Sequence, residues 1–232
     1  MEILNAIILS AGWSKRLRPI TFFIPKPLIK IKGKEIIIHI IENLEKFGVK
    51  KFYVNLYYKK EKIEKFLKSS KFKDKIFIYR EKEIMGTGGG IKNFEKYIDD
   101  DFFVHNVDIY HNLNLKDFIE FHKSHKKTAT LLLFENFSKS EFFLKNDEII
   151  DILINEKKKK VLTYSGIGIF RKEFFNYLPE GKSNLIDAFY KMIKNEDLKG
   201  YVLKGEIIDI GTYKGLLKVC LKKGIFNRNK LI

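Results

Sequence analysis

A single cysteine, Cys220, stands among the 232 residues of this chain. An intrachain disulfide and a cysteine-rich zinc site are therefore both excluded. No apolar run reaches the ~20 residues that a membrane-spanning helix requires, so no membrane partner is expected. The N-terminus lacks the basic region, apolar core and small-residue cleavage site of a signal peptide. Strand-forming residues begin at once, at Glu2-Ile3-Leu4, and a cytoplasmic location is the expectation. Internal repeats and low-complexity linkers are missing as well. One domain over residues 1–225, followed by a frayed tail over 226–232, is the organisation expected.

What the chain has in excess is positive charge, a formal net of +16. A positive field attracts polyanions such as nucleotides, sugar phosphates or nucleic acid. The lysines are spread along the chain, however, which reads as solvated faces and supports no specific nucleic-acid partner. The one dense run, Lys157–Lys160, reads as a hairpin turn. The 21 phenylalanines fall mostly at periodic apolar positions, which favours a core over a base-stacking groove.

Strand-like and helix-like segments alternate through the first half. Strands are expected at 4–10, 52–56, 76–79 and 101–106, and helices at 35–47, 60–67, 88–97 and 115–125. Gly48 reads as a helix C-cap. Such alternation argues for a mostly parallel sheet with helices on both faces. Four further strands, 128–134, 142–144, 149–154 and 161–170, read as an antiparallel extension. A helix over 183–193, strands at 201–203 and 206–210, and a helix over 212–222 complete the pattern. The class is α/β, a mixed sheet flanked by helices.

Residues 6–33, AIILSAGWSKRLRPITFFIPKPLIKIKG, carry the most information. An apolar strand runs into the small-residue turn Ser10-Ala11-Gly12. Ser14, the basic pair Lys15-Arg16, and Lys26 between two prolines follow. Small residues let backbone N–H groups approach phosphate oxygens, and the cations neutralise them. A small-residue turn after a strand is in itself shared by many mononucleotide folds.

Three other segments hold candidate chemistry. Glu81 precedes the glycine cluster Gly86-Thr87-Gly88-Gly89-Gly90, where backbone can pass close to a base or sugar; a plain flexible turn is the alternative. The expected strand 101–106 leads through Asn106 to Asp108, a carboxylate at a strand end, where α/β sheets bind ligands. It suits Mg²⁺, or else it caps the next turn. Strand alternation argues against His105, Asp108 and His111 converging on a metal. Asp209 sits in a similar place before Gly211-Thr212, as a second carboxylate or as a helix N-cap. A glycine inside a strand, as at Gly166, often marks close approach of a ligand. Glu135 and Asn136 end a strand and stand within reach of the same region.

The 9–21 stretch, Leu-Ser-Ala-Gly-Trp-Ser-Lys-Arg-Leu-Arg-Pro-Ile-Thr, with Pro25-Lys26-Pro27 beyond it, resembles the signature of sugar-1-phosphate nucleotidylyltransferases. The resemblance extends to Glu81–Gly90, Asn106-Val107-Asp108, Leu162–Phe170 and Glu206–Thr212. It is greatest to N-acetylmuramate-1-phosphate uridylyltransferases, then to mannose-1-phosphate guanylyltransferase-type members. Ser14 and Val107 replace family glycines, and at Ser14 this bears on a backbone that requires positive φ.

The resemblance implies a Rossmann-like, GT-A-like fold and a reaction of a nucleoside triphosphate with a sugar 1-phosphate, giving a nucleotide-sugar and pyrophosphate, with a role in cell-wall or surface-polysaccharide precursors. It implies Mg²⁺ on Asp108 and Asp209, and catalysis by Arg16, Lys26 and Asp108. Nucleotide contacts are implied for Leu9, Ser10, Ala11, Gly12, Ser14, Lys15, Arg16, Glu81, Gly86 and Thr87. Sugar-phosphate contacts are implied for Lys26, Asn106, Gly166 and Lys157, the last as part of a Glu156-Lys157 pair; Glu135 joins them by its place at a strand end and not by a family motif. No left-handed β-helix repeat follows, so no fused acyltransferase is expected. A metal-dependent glycosyltransferase would carry Asp-x-Asp where this chain has Asp108-Ile109-Tyr110. A non-catalytic relative would have lost one of the four charged residues, and all four are present.

Overall fold

The computed structural model describes residues 3–203 and 205–221, without the side chains of residues 155, 156 and 158. The expected tail, the end of the expected domain at 225 and the Glu156 side chain lie outside the described residues. Eleven strands and seven α-helices follow in chain order among those residues: β1 (Asn5–Leu9), α1 (Ile20–Phe23), β2 (Lys30–Ile31), β3 (Lys34–Glu35), α2 (Ile36–Glu45), β4 (Lys51–Leu56), α3 (Lys60–Ser69), β5 (Ile76–Arg80), α4 (Gly86–Lys92), β6 (Phe102–Asn106), β7 (Ile109–His111), α5 (Lys116–Lys123), β8 (Ala129–Lys145), β9 (Glu148–Phe170), α6 (Leu185–Lys194), β10 (Leu198–Val202), β11 (Ile207–Asp209) and α7 (Tyr213–Leu221).

Seven strands form the central sheet in the order β10-β8-β9-β6-β1-β4-β5. β6, β1, β4 and β5 run parallel, β10 runs parallel to β8, and β9 is antiparallel to both of its principal neighbours. The apolar runs of β1, β4 and β6 bury both faces, as parallel strands between helices must. Ile8, Val54 and Phe103 pack under α2, α3 and α5. Ile7, Tyr53 and Val104 face α4 and α6 on the opposite side. α2 places Ile36, Ile37, Ile40, Ile41 and Leu44 inward at helical spacing. The chain leaves it at Gly48 with φ 96°.

The antiparallel extension is one long hairpin and not four short strands. β8 and β9 pair from Ala129↔Phe170 out to Lys145↔Glu148. Asn146 and Asp147, with φ 49° and 64°, form the turn, both residues left-handed as a tight hairpin requires. The Lys157–Lys160 run, read as a hairpin turn, lies instead within β9, where the register is interrupted between the pairs Ser138↔Lys159 and Ser140↔Ile154. Outside the sheet proper, solvent on both sides leaves a strand free to be polar, so composition there does not mark chain reversal.

One small ladder matters for function. β11 pairs antiparallel with β7, and Asp209 lies opposite Ile109. Among the described residues no helix is long and apolar enough to cross a membrane.

Candidate active site

The carboxyl ends of β1 and β6 lie side by side, with Leu9 in register with Asn106. The loop after β1 carries Arg16 and Lys26 back over these ends. Ser14 takes the left-handed conformation that a glycine would favour, φ 55° and ψ 31°, at a cost of about 1–2 kcal/mol. The buried Thr21 hydroxyl donates to the Ser14 carbonyl at 3.0 Å and ties the turn down. Tyr213, the first residue of α7, donates its hydroxyl to the Arg18 carbonyl at 2.6 Å. The loop is thus anchored to the segment that follows Asp209.

Four charged side chains converge where the loop meets the strand ends. Arg16 Nη1 donates to Asp209 Oδ2 at 3.0 Å, and Nη2 lies 3.6 Å from Asp108 Oδ2. Lys26 Nζ donates to the same Asp108 oxygen at 2.9 Å. The Ile210 N–H bonds the Asp108 carbonyl at 2.9 Å, which locks β11 against the β6–β7 turn. Burial pushes the Asp108 carboxyl up, but Lys26 and then Arg16 outweigh it and hold the group below its ordinary value. Gly211 completes the cluster. A Cβ there would sit 2.8 Å from Arg16 Nη2 and Asp209 Oδ1, and 2.9 Å from Asp108 Oδ2.

Two clefts open on this cluster. The first, about 290 Å³, is lined by Leu9, Ala11, Gly12, Lys26, Glu81, Gly86, Thr87, Asn106 and Asp108, among others. The second, about 710 Å³, is lined by Arg16, Asn106, Asp108, Gly166, Asp209 and the Phe134–Ser138 stretch other than Glu135. Asn106 and Asp108 line both, so the two clefts meet at the carboxylate. Gly166, with φ 86°, is required there, because a Cβ would lie 2.7 Å from Asn106 Nδ2.

Several site residues sit elsewhere than the sequence reading places them. Glu135 lines neither cleft; it points away from the face of Phe134 and Asn136, and its side chain pairs with Lys160 at 2.7 Å. Lys157 is exposed in β9 and also lines neither cleft. Ser10 is buried beneath the turn, its N–H donating to Asn55 Oδ1 at 2.7 Å. Lys15 turns outward, 5.8 Å from the Trp13 ring. Ser14 shapes the loop without lining either cleft.

The glycine cluster also departs from expectation. α4 starts at Gly86 and not Gly88, and its Gly88 and Gly89 N–H groups are engaged by the Ser183 carbonyl. Cβ atoms at 86 and 88 would collide with Ser183, and one at 89 with the Gly181 carbonyl. These glycines admit the 181–184 loop, while Gly86 and Thr87 still line the first cleft.

Sequence reasoning missed Asn55 and Asn184. Asn55 Nδ2 donates to Glu81 Oε1 at 2.7 Å, and Glu81 Oε2 accepts from the Met85 N–H at 3.1 Å. The bridge joins the β1 turn to the glycine cluster. Burial raises the Glu81 pKa against the opposing pull of those two donors. An asparagine inside the apolar strand Phe52-Tyr53-Val54-Asn55-Leu56 is the signal that was available, since buried amides need partners. Asn184 lines the first cleft and comes from a loop remote in sequence.

Residues 5–223 match the family model for nucleotidyl transferases. The chain belongs to the nucleotidyl transferase family. Among curated members, it is 36% identical over 217 residues to the bifunctional protein GlmU of Methanocaldococcus jannaschii, covering 90% of this chain and 51% of that protein. It is 29% identical over 232 residues to a mannose-1-phosphate guanyltransferase of Gibberella zeae, covering 94% and 64%. The chain therefore spans about half to two thirds of the length of these relatives. Among solved structures, HddC from Yersinia pseudotuberculosis complexed with GMP-PN superposes with a TM-score of 0.77 at 28% identity, covering 94% of this chain and 98% of that one.

In this nucleotidyl transferase the two carboxylates fit a small divalent cation. They are hard oxygen donors brought to one guanidinium, and Mg²⁺ is commonly held by one or two carboxylates with waters and phosphates completing its shell. Among the described residues no group of three or more acidic, histidine or cysteine side chains offers a fuller cage.

Proposed function

We propose that this nucleotidyl transferase joins a nucleoside triphosphate to a sugar 1-phosphate, releasing pyrophosphate. The observation that carries the reading is the convergence of Asp108, Asp209, Arg16 and Lys26 at the junction of the two clefts. The first cleft, floored by the Ser10–Asn55–Glu81 bridge, takes the nucleotide. The second takes the sugar.

A phosphate oxygen of the sugar 1-phosphate attacks the α-phosphorus. The bond to the β-phosphate breaks, and pyrophosphate leaves with its electron pair. The attacking phosphate is already ionised at neutral pH, so no base is required. Positioning and charge neutralisation carry the catalysis. Arg16 and Lys26 exchange carboxylate partners for phosphate oxygens. The planar guanidinium of Arg16 holds the departing pyrophosphate, and Lys26, at the junction, neutralises the α-phosphate or the incoming sugar phosphate. Asp108 and Asp209 would hold Mg²⁺, whose contribution is to offset repulsion between the two anionic reactants. Nucleotide-sugar supply for cell-wall or surface polysaccharide is the role this chemistry fits.

A pyrophosphate-release screen crossing the common nucleoside triphosphates with a panel of sugar 1-phosphates tests the reading. At least one pair should release pyrophosphate in a Mg²⁺-dependent manner. Silence across the panel, with folded protein, would overturn it.

A further inference from the structure

Two imidazoles, one buried and one half-buried, stand behind the carboxylates with no part in the reaction. His105 is fully buried at the end of β6, and His111 lies across from it on β7. Their rings stack at 5.3 Å, with Nε2 to Nε2 at 3.2 Å. Each second nitrogen has its own partner. The Leu113 N–H donates to His111 Nδ1 at 3.2 Å. His105 Nδ1 lies 2.9 Å from the Asn106 carbonyl oxygen.

These partners fix the direction of every bond. An amide N–H only donates, so His111 Nδ1 is bare and its hydrogen sits on Nε2. A carbonyl only accepts, so His105 carries its hydrogen on Nδ1 and its Nε2 is bare. His111 Nε2–H then donates to His105 Nε2. The chain runs one way, from Leu113 through His111 and His105 to Asn106. A second proton on either ring would set N–H against N–H.

We infer that His105 and His111 are positioning residues for the aspartate pair, acting as two neutral imidazoles in opposite tautomers. The hydrogen-bond chain closes the turn that carries Asn106 and Asp108. His111 is also in register with Ile207 of β11, two residues before Asp209. The pair therefore pins the β7–β11 ladder to the end of β6 and sets the spacing of the two carboxylates. The consequence for metal rests on the reading of Asp108 and Asp209 as a Mg²⁺ site; the tautomer assignment does not.

Two measurements on the full chain separate these levels. Long-range ¹H–¹⁵N NMR at pH 7 should show His105 in the Nδ1–H form and His111 in the Nε2–H form. The same tautomer at both, or a doubly protonated ring at either, overturns the inference. The second measurement is the Mg²⁺ concentration that half-saturates pyrophosphate release, read beside Tm. His111→Phe keeps a ring against His105 but removes the donor, and should raise the half-saturating concentration about tenfold. His111→Gln restores an N–H near the Nε2 position and should recover most of that change. A fall in Tm with unchanged Mg²⁺ dependence would reduce the pair to a packing feature and defeat the inference. A wild-type protein that releases no pyrophosphate from any pair would instead defeat the proposed reaction and leave the NMR result standing.

Discussion

Gly211→Ala probes the charged cluster with a single methyl group. The Gly211 backbone is not in the left-handed region, so alanine brings no conformational strain of its own. The added carbon would stand 2.8 Å from Arg16 Nη2 and Asp209 Oδ1 and 2.9 Å from Asp108 Oδ2, where ordinary contact begins at 3.4 Å. Each neighbour must retreat by about half an ångström. Arg16 can swing, since its side chain is 59% exposed. The carboxylates have less freedom. Asp209 Oδ1 accepts from the Gly211 N–H at 2.8 Å, and Asp108 is held by Lys26. A misplacement of ~1 Å costs about 100-fold in rate, and half of that distance about tenfold. The expected loss in kcat/KM is thus about 10- to 100-fold, or about 1.4–2.7 kcal/mol. The assay is steady-state pyrophosphate release, with far-UV circular dichroism to confirm the fold. A variant within twofold of wild type in kcat/KM and in Mg²⁺ half-saturation would mean that the three groups do not need their observed spacing.

Arg16→Ala should lose at least tenfold more kcat/KM than Arg18→Ala, although the two residues share a loop. Arg16 reaches both aspartates, while Arg18 lies over the Phe22 ring at 4.9 Å. Equal losses would mean that only the net charge of the loop matters. Stability should also fall in acid. Burial holds His105 and His125 at about 4 and His111 at about 3, and keeps His122 below its ordinary value. The unfolded chain takes up these protons near 6.5, so the stabilisation is complete above that pH and is lost as the pH falls toward 4. For His105 alone the difference is about 3 kcal/mol. Urea midpoints at pH 7 and pH 5 measure it, and a flat profile would contradict the burial of these rings.

The parallel half of the sheet was legible because burial on both faces forces apolar runs at β1, β4 and β6, with helical periodicity between them. The same logic failed at β8 and β9. There a strand extended beyond the sheet tolerates Glu135, Asn136 and the 157–160 lysines, and polar composition imitated turns. β7 is three residues long, too short for periodicity to register, so although a strand is expected at 206–210, the β7–β11 ladder that brings Asp209 to Asp108 is not legible. The charged residues of the site are legible by type, and Ser14 reads as a substitution at a turn glycine. What no local pattern carries is the partner of a side chain. Glu135 reads toward the sugar by its place at an apparent strand end, and Asn55 stands within a strand that otherwise reads as core. The glycine cluster invited a ligand because its true neighbour, the 181–184 loop, lies about a hundred residues away.

In the proposed reaction Asp108 and Asp209 serve one metal ion. Mg²⁺ titration of pyrophosphate release in wild type, Asp108→Asn, Asp209→Asn and the double variant tests it most directly. Residues that serve one ion act as a unit, so their effects should not add. Each single variant should retain less than about a tenth of wild-type activity, a loss above ~1.4 kcal/mol. The double variant should be no worse than the poorer single one, and none of the three should recover with added Mg²⁺. Additive losses, or a single variant that keeps near-wild-type turnover, would contradict the shared site.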